Sequence, residues 1–267
     1  MSSLLDNIFL AGGFLAEAIL VLLLARERVY KTLPAFFLYI CWSMAYDLGF
    51  LCLRTFYPAL VTYRVYEIQM AIDAVMIFAV LVELAWSVLK PLRTSLPKHA
   101  WLGIAALILI AAAVLWPIIG MTLPAHLGLG AEGRFYVREQ QIPATLRVIV
   151  FFAMAGFSQL LGIGWRSREL QVATGLGFYA ILSLAVSVMH THQLVAAPQY
   201  HVLDEVVGAG YLLALTYWVF AFATKEAERQ NFSPQMANFL LLIGGTAKAS
   251  RVALTDFAVT KSRFKDH

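Results

Sequence analysis

The stretch from Tyr63 to Lys90, YRVYEIQMAIDAVMIFAVLVELAWSVLK, has the length and apolar content of a helix crossing a membrane, yet it carries Asp73 and Glu83. At 100° per residue, Tyr66, Gln69, Asp73, Met76, Val80, Glu83 and Ser87 fall within roughly a third of the helix circumference. A carboxylate facing lipid costs about 2.5–3.5 kcal/mol on insertion scales, so such groups turn toward a bundle interior or a watered cavity. The stripe is therefore expected to face the inside of the protein.

Composition extends this reading to the whole chain. Of 267 residues, 61% are hydrophobic and only 13% charged, and the mean hydropathy is +0.74, which places the chain in the membrane class. The net charge of +4 does not indicate nucleic acid as a partner, because the basic residues sit in short segments between apolar runs. Cys41 and Cys52 lie on one run, about 16 Å apart at 1.5 Å per residue, too far to pair with each other. Met1 to Asn7 lacks the basic start of a cleaved signal peptide, so the first run is expected to remain in the mature protein.

Seven apolar runs approach the length of about 20 residues needed to cross hydrocarbon. They fall near 8–25, 34–54, 65–89, 100–119, 143–165, 170–190 and 202–224. The expectation is an all-α polytopic protein, a seven-transmembrane-helix bundle formed by residues 1–224, followed by a tail at 225–267. Pro34 and Pro143 suit the first turns of the second and fifth helices, and proline otherwise stays at helix ends. The fourth run has no ionisable residue after His99 and is expected to be the most exposed to lipid.

Lys and Arg set the expected orientation. Arg26, Arg28 and Lys31 follow the first run, Lys90, Arg93 and Lys98 the third, Arg166 and Arg168 the fifth, and Lys225 and Arg229 the seventh. This bias puts the N-terminus outside and the C-terminus in the cytoplasm, with a bacterial inner membrane as the expected cell membrane. The connection Gly120–Ile142 is then an outer loop, either a lid over the mouth of the bundle or a plain surface segment. In the tail, Ser233 to Ile243 reads either as an interfacial helix beside Lys248 and Arg251 or as a disordered segment.

The intramembrane polar residues gather toward the outer half. Glu17, Asp47, Asp73, Arg147, Tyr179, Ser183, Ser187, His190, Asp204 and Tyr211 form the candidate ligand-binding set, with Tyr179, Ser183, Ser187 and His190 on one helical stripe. Glu83, nearer the inner face, is expected either to meet Arg166 or Arg168 or to be left to water. Tyr39, Ser43 and Tyr46 form a milder polar face, read as core and interface anchors. His190, His192, His201, Asp204 and Glu205 offer zinc-type ligands within a short span, but in no established zinc spacing.

Seven helices with an outside N-terminus resemble receptors coupled to G proteins and microbial rhodopsins in outline alone. The third helix ends Glu83-Leu84-Ala85-Trp86-Ser87, without the receptors' acidic-Arg-Tyr motif. No lysine lies between Val202 and Thr224 to hold retinal. The functional expectation comes from the acids. They outnumber Arg147 and favour a small polar or cationic ligand, bound by a receptor-like sensor that signals to a separate cytoplasmic or membrane partner. Two rival expectations are a secondary transporter, with Asp73 and Glu83 on a proton path, and an outer-face metal-dependent hydrolase. No catalytic set is legible.

Overall fold

The structure, a computed structural model, describes residues 4–56, 63–88, 99–123, 131–160, 167–192 and 200–224. Among these residues it is all helical, with seven α-helices: α1 Leu4–Arg26, α2 Pro34–Phe56, α3 Tyr63–Val88, α4 Ala100–Thr122, α5 Ala131–Leu160, α6 Arg168–Thr191 and α7 Tyr200–Ala223. A 3-10 turn, Val29–Lys31, joins α1 to α2, and Arg28 before it takes a left-handed backbone with φ 54° to turn the chain back.

Five segments are long and apolar enough to cross a membrane: Pro34–Leu53, Glu67–Val88, Ala100–Thr122, Arg168–Thr191 and His201–Ala223. At 1.5 Å per residue their 20–24 residues extend about 30–36 Å, which matches a hydrocarbon core of about 30 Å. Their outward faces agree with that setting. Leu38, Val75, Leu107, Phe178 and Phe220 are all well exposed, a distribution a water-soluble surface would not carry. The chain is built as a multi-pass membrane protein.

One expected boundary is wrong. The fifth helix does not begin at Pro143 but at Ala131, and α4 runs on to Thr122. Most of the expected loop Gly120–Ile142 is therefore helix, with 124–130 outside the described residues. Pro143 and Pro117 both lie inside helices. Proline removes the N–H that would bond to the carbonyl four residues back, but membrane helices tolerate this where neighbouring groups re-satisfy it. The expected interfacial segment of the tail also falls outside the described residues.

Six helices form a closed circuit in which α1 packs on α2 and α7, α7 on α6, α6 on α5, α5 on α3, and α3 on α2. Helix α4 lies against α3 and α5 on the outside of this circuit, and only Ile108 and Ile119 are buried along it. This is the lipid-facing position expected for the run without charges. The acidic stripe of α3 faces inward: Val80 and Ser87 are buried, and Asp73 and Glu83 both bond to neighbouring helices.

The half of the bundle nearest Glu83 is a closed apolar core. Trp218 packs edge-on against Phe36 at 5.2 Å, and Phe222 stacks on Phe36 at 6.1 Å, while the Trp218 indole N–H donates to the Gln171 carbonyl at 3.2 Å. Two charged side chains close helix ends there. The Glu83 carboxylate accepts the N–H groups of Ala35 (2.9 Å) and Phe36 (3.0 Å) in the first turn of α2, so α3 supplies the cap that the apolar start of α2 lacks. Arg168 donates to the carbonyls of Ala221 (2.7 Å) and Thr224 (3.0 Å) at the end of α7 and lies over the Phe222 ring. Of the two arginines expected near Glu83, Arg168 is turned to α7, and Arg166 lies outside the described residues. Ser87 donates to Glu169 at 2.9 Å in the same layer.

Glycine admits these close approaches. A Cβ at Gly175 would enter the Trp218 ring, whereas one at Gly103 on α4 would meet nothing. Gly175→Ala should lower stability by about 1–3 kcal/mol through overpacking, and Gly103→Ala should leave it equal or slightly raised; thermal unfolding in detergent reads both. Replacing Glu83 by Ala should cost about 1–2 kcal/mol by stripping the cap from α2, measured the same way.

Candidate functional site

The opposite half of the bundle is polar, and its side chains meet because each helix repeats them at helical spacing. On α2, Tyr39, Ser43 and Asp47 follow one another at four-residue intervals, as do Gln69 and Asp73 on α3 and Tyr179, Ser183 and Ser187 on α6. Three groupings result.

The first is sealed between α1, α2 and α7. Glu17 is fully buried, and its Oε1 accepts the Tyr211 hydroxyl at 2.5 Å and the Ser43 hydroxyl at 2.7 Å. The two hydroxyls are themselves 2.9 Å apart. Glu17 Oε2 is buried with no hydrogen-bond partner among the described residues.

The second is a cavity of about 280 Å³ between α3, α5 and α6, bordered by Gln69, Asp73, Glu139, Gln140, Arg147, Tyr179 and Ser183. Asp73 Oδ1 accepts the Trp42 indole N–H at 2.8 Å. The Arg147 guanidinium lies 5.6 Å from the centre of the Tyr179 ring, and its Nε has no hydrogen-bond partner among the described residues. Asp73 and Arg147 interact electrostatically without forming an ion pair. Asp47 is electrostatically coupled to both Asp73 and Glu17. The Tyr179 ring packs 5.3 Å from that of Tyr211, so the cavity and the buried triad share a wall. Before the apolar part of α5, burial pushes the Glu139 carboxyl up, helped by the neighbouring Glu67 carboxylate. A larger apolar groove adjoins on the α4 side, sharing Ala74, Glu139 and Pro143.

The third lies at the ends of α6 and α7. His190 Nε2 stands 3.9 Å from Asp204, and His201 Nε2 stands 3.6 Å from Glu205 one turn along its own helix. Among the described residues no three His, Cys, Asp or Glu side chains converge on a point that would hold a metal ion. The set His190, His192, His201, Asp204 and Glu205 thus yields two separate pairs rather than one ligand sphere.

The expected ligand set is divided accordingly. Asp73, Arg147, Tyr179 and Ser183 border the cavity, with Asp47 nearby, while Glu17 and Tyr211 make the adjoining triad. Ser187 is held in the α5–α6 seam, accepting from Gln141 at 3.2 Å and donating to Gln140 at 3.3 Å. His190 and Asp204 stay at the rim, where the Asp204 side chain is 67% exposed. Trp42, Glu139 and Gln140 stand outside the expected ligand set, and Ser43, expected as an anchor, is part of the buried triad. An indole N–H in an apolar run needs an acceptor, which was the available signal for Trp42. Glu139 and Gln140 were hidden in the presumed loop.

Removing either hydroxyl beside Glu17 takes a donor from a buried carboxyl. Tyr211→Phe and Ser43→Ala should each cost about 1–3 kcal/mol, and the double change less than their sum because both act on one oxygen; a double-mutant cycle of unfolding in detergent checks the coupling. Comparison with protein-family models, with curated proteins and with solved structures gives no match.

Proposed function

We propose that all seven helices span a cell membrane, a bacterial inner membrane, and that the cavity between α3, α5 and α6 opens to the outer side and binds a small polar or cationic ligand as the input of a receptor-like sensor. The observation that carries this reading is the convergence of Asp73, Glu139, Arg147 and Tyr179 on one cavity. The α1 and α5 spans are supported by sequence: residues 8–25 hold Glu17 as their one charge, and 142–160 hold Arg147. Orientation is supported by Arg26, Arg28, Lys31 and Arg168 standing at the Glu83 end, which the positive-inside rule assigns to the cytoplasm. A signal would pass to a separate cytoplasmic or membrane protein.

A second reading, a secondary transporter, draws on Glu17. A fully buried carboxyl accepting hydroxyls from two other helices would serve as the proton-binding group beside the cavity. Glu83, by contrast, is engaged as the cap of α2. Uptake into proteoliposomes driven by a proton gradient separates the carrier from the sensor.

Asp73→Asn removes the cavity's hydrogen-bonded anion while preserving shape and the acceptor for Trp42. It should weaken binding of ammonium compounds at least tenfold while melting within a few degrees of the parent protein. Unchanged binding in a thermal-shift series would overturn the assignment of the site.

A further inference from the structure

Opposite charges facing one intramembrane cavity ordinarily close on each other. Asp73 and Arg147 do not: both border the same cavity and the Arg147 charge acts on Asp73, yet among the described residues they form no ion pair. Each is held back by its own anchor. Asp73 Oδ1 is tied to the Trp42 indole N–H at 2.8 Å, and the Arg147 guanidinium is laid on the Tyr179 ring. A carboxylate has about four acceptor positions and a guanidinium five donors, so both groups retain capacity toward the space between them. The buried Arg147 Nε has no acceptor among the described residues, an uncommon condition for a charged donor.

We infer that the gap is the seat of a small zwitterion, a molecule carrying a carboxylate and an ammonium a few bonds apart, with its carboxylate on Arg147 and its ammonium on Asp73. The inference rests on the reading of this cavity as a ligand site and narrows the ligand class. The planar fork of Arg147 offers two parallel N–H donors to a carboxylate, the geometry that favours arginine over lysine for this task. Glu139 adds a second carboxyl on the wall, which strengthens the cation-binding side. A purely cationic ligand would leave the Arg147 donors unused and repelled, a purely anionic one would face two carboxyl groups, and a neutral one would leave both charges unpaired. A volume of about 280 Å³ lies at the small end of ligand cavities and suits molecules of amino-acid size.

The test uses the full chain purified in detergent, with glycine, β-alanine and γ-aminobutyrate as zwitterions of increasing charge separation and with ethylamine and acetate as single-charge controls. At least one zwitterion should raise the melting temperature, by about 5 °C at a hundredfold excess over its Kd, while neither control does so at equal concentration. Arg147→Gln and Asp73→Asn should each abolish the shift. Stabilisation by ethylamine alone, equal in both proteins when Arg147→Gln is compared with the parent, overturns the zwitterion assignment and leaves the cation-binding site standing. A chain stabilised by none of the five compounds overturns both. Because the decisive comparison is made on the parent protein, a variant that fails to fold does not rescue the proposal.

Discussion

A carboxyl group in hydrocarbon has only the protein itself to bond with, and this constraint organises the structure. Four acids of the bundle meet it in four ways. Glu17 accepts two hydroxyls from two other helices, Asp73 accepts an indole N–H, Glu83 accepts the backbone of a helix start, and Glu169 accepts a serine hydroxyl from α3. Every one of these bonds crosses between helices, so the polar groups that make insertion costly also fix which helices are neighbours. Apolar side chains alone would not do this, since lipid tails are as good a partner for leucine as another leucine is.

The two halves of the bundle use this constraint differently. In the Glu83 half, charge is consumed at helix termini: Glu83 meets the positive end of α2 and Arg168 the carbonyls ending α7. Charge held this way is satisfied by backbone and leaves the space between helices to Phe36, Trp218 and Phe222. In the other half the charges sit along the helices rather than at their ends, and side chains must satisfy one another. Satisfaction there is incomplete, with Glu17 Oε2 and Arg147 Nε lacking partners among the described residues. Incomplete satisfaction beside a cavity is the feature on which the proposed ligand site rests.

Much of this was legible in advance, and the failures have a common cause. The limits of α2, α3, α4, α6 and α7 follow from apolar length, and the inward turn of the α3 stripe follows from 3.6-residue periodicity. For α5 the apolar pattern falls twelve residues short because Ala131 to Ile142 is polar and is followed by Pro143. Hydropathy reports where lipid is, not where a helix ends, and α5 continues beyond its apolar part. For Glu83 the sequence offers Arg166, Arg168 or water; the first N–H groups of α2, which it accepts, are a partner that no residue type reveals. The histidines and acids at the ends of α6 and α7 were close in sequence, yet helix direction separates them into two pairs.

By itself the sequence determined the class of the protein, the number and approximate limits of its apolar runs, and which face of α3 turns inward, because all of these depend on local composition and on the helix period. Tertiary structure alone decided that Glu17 meets Ser43 and Tyr211, that Glu83 closes α2, and that Asp73 and Arg147 face one cavity without touching. Those pairings depend on which helices are adjacent and at what height, and adjacency in a bundle is set by the sum of many interhelical contacts that no single segment encodes.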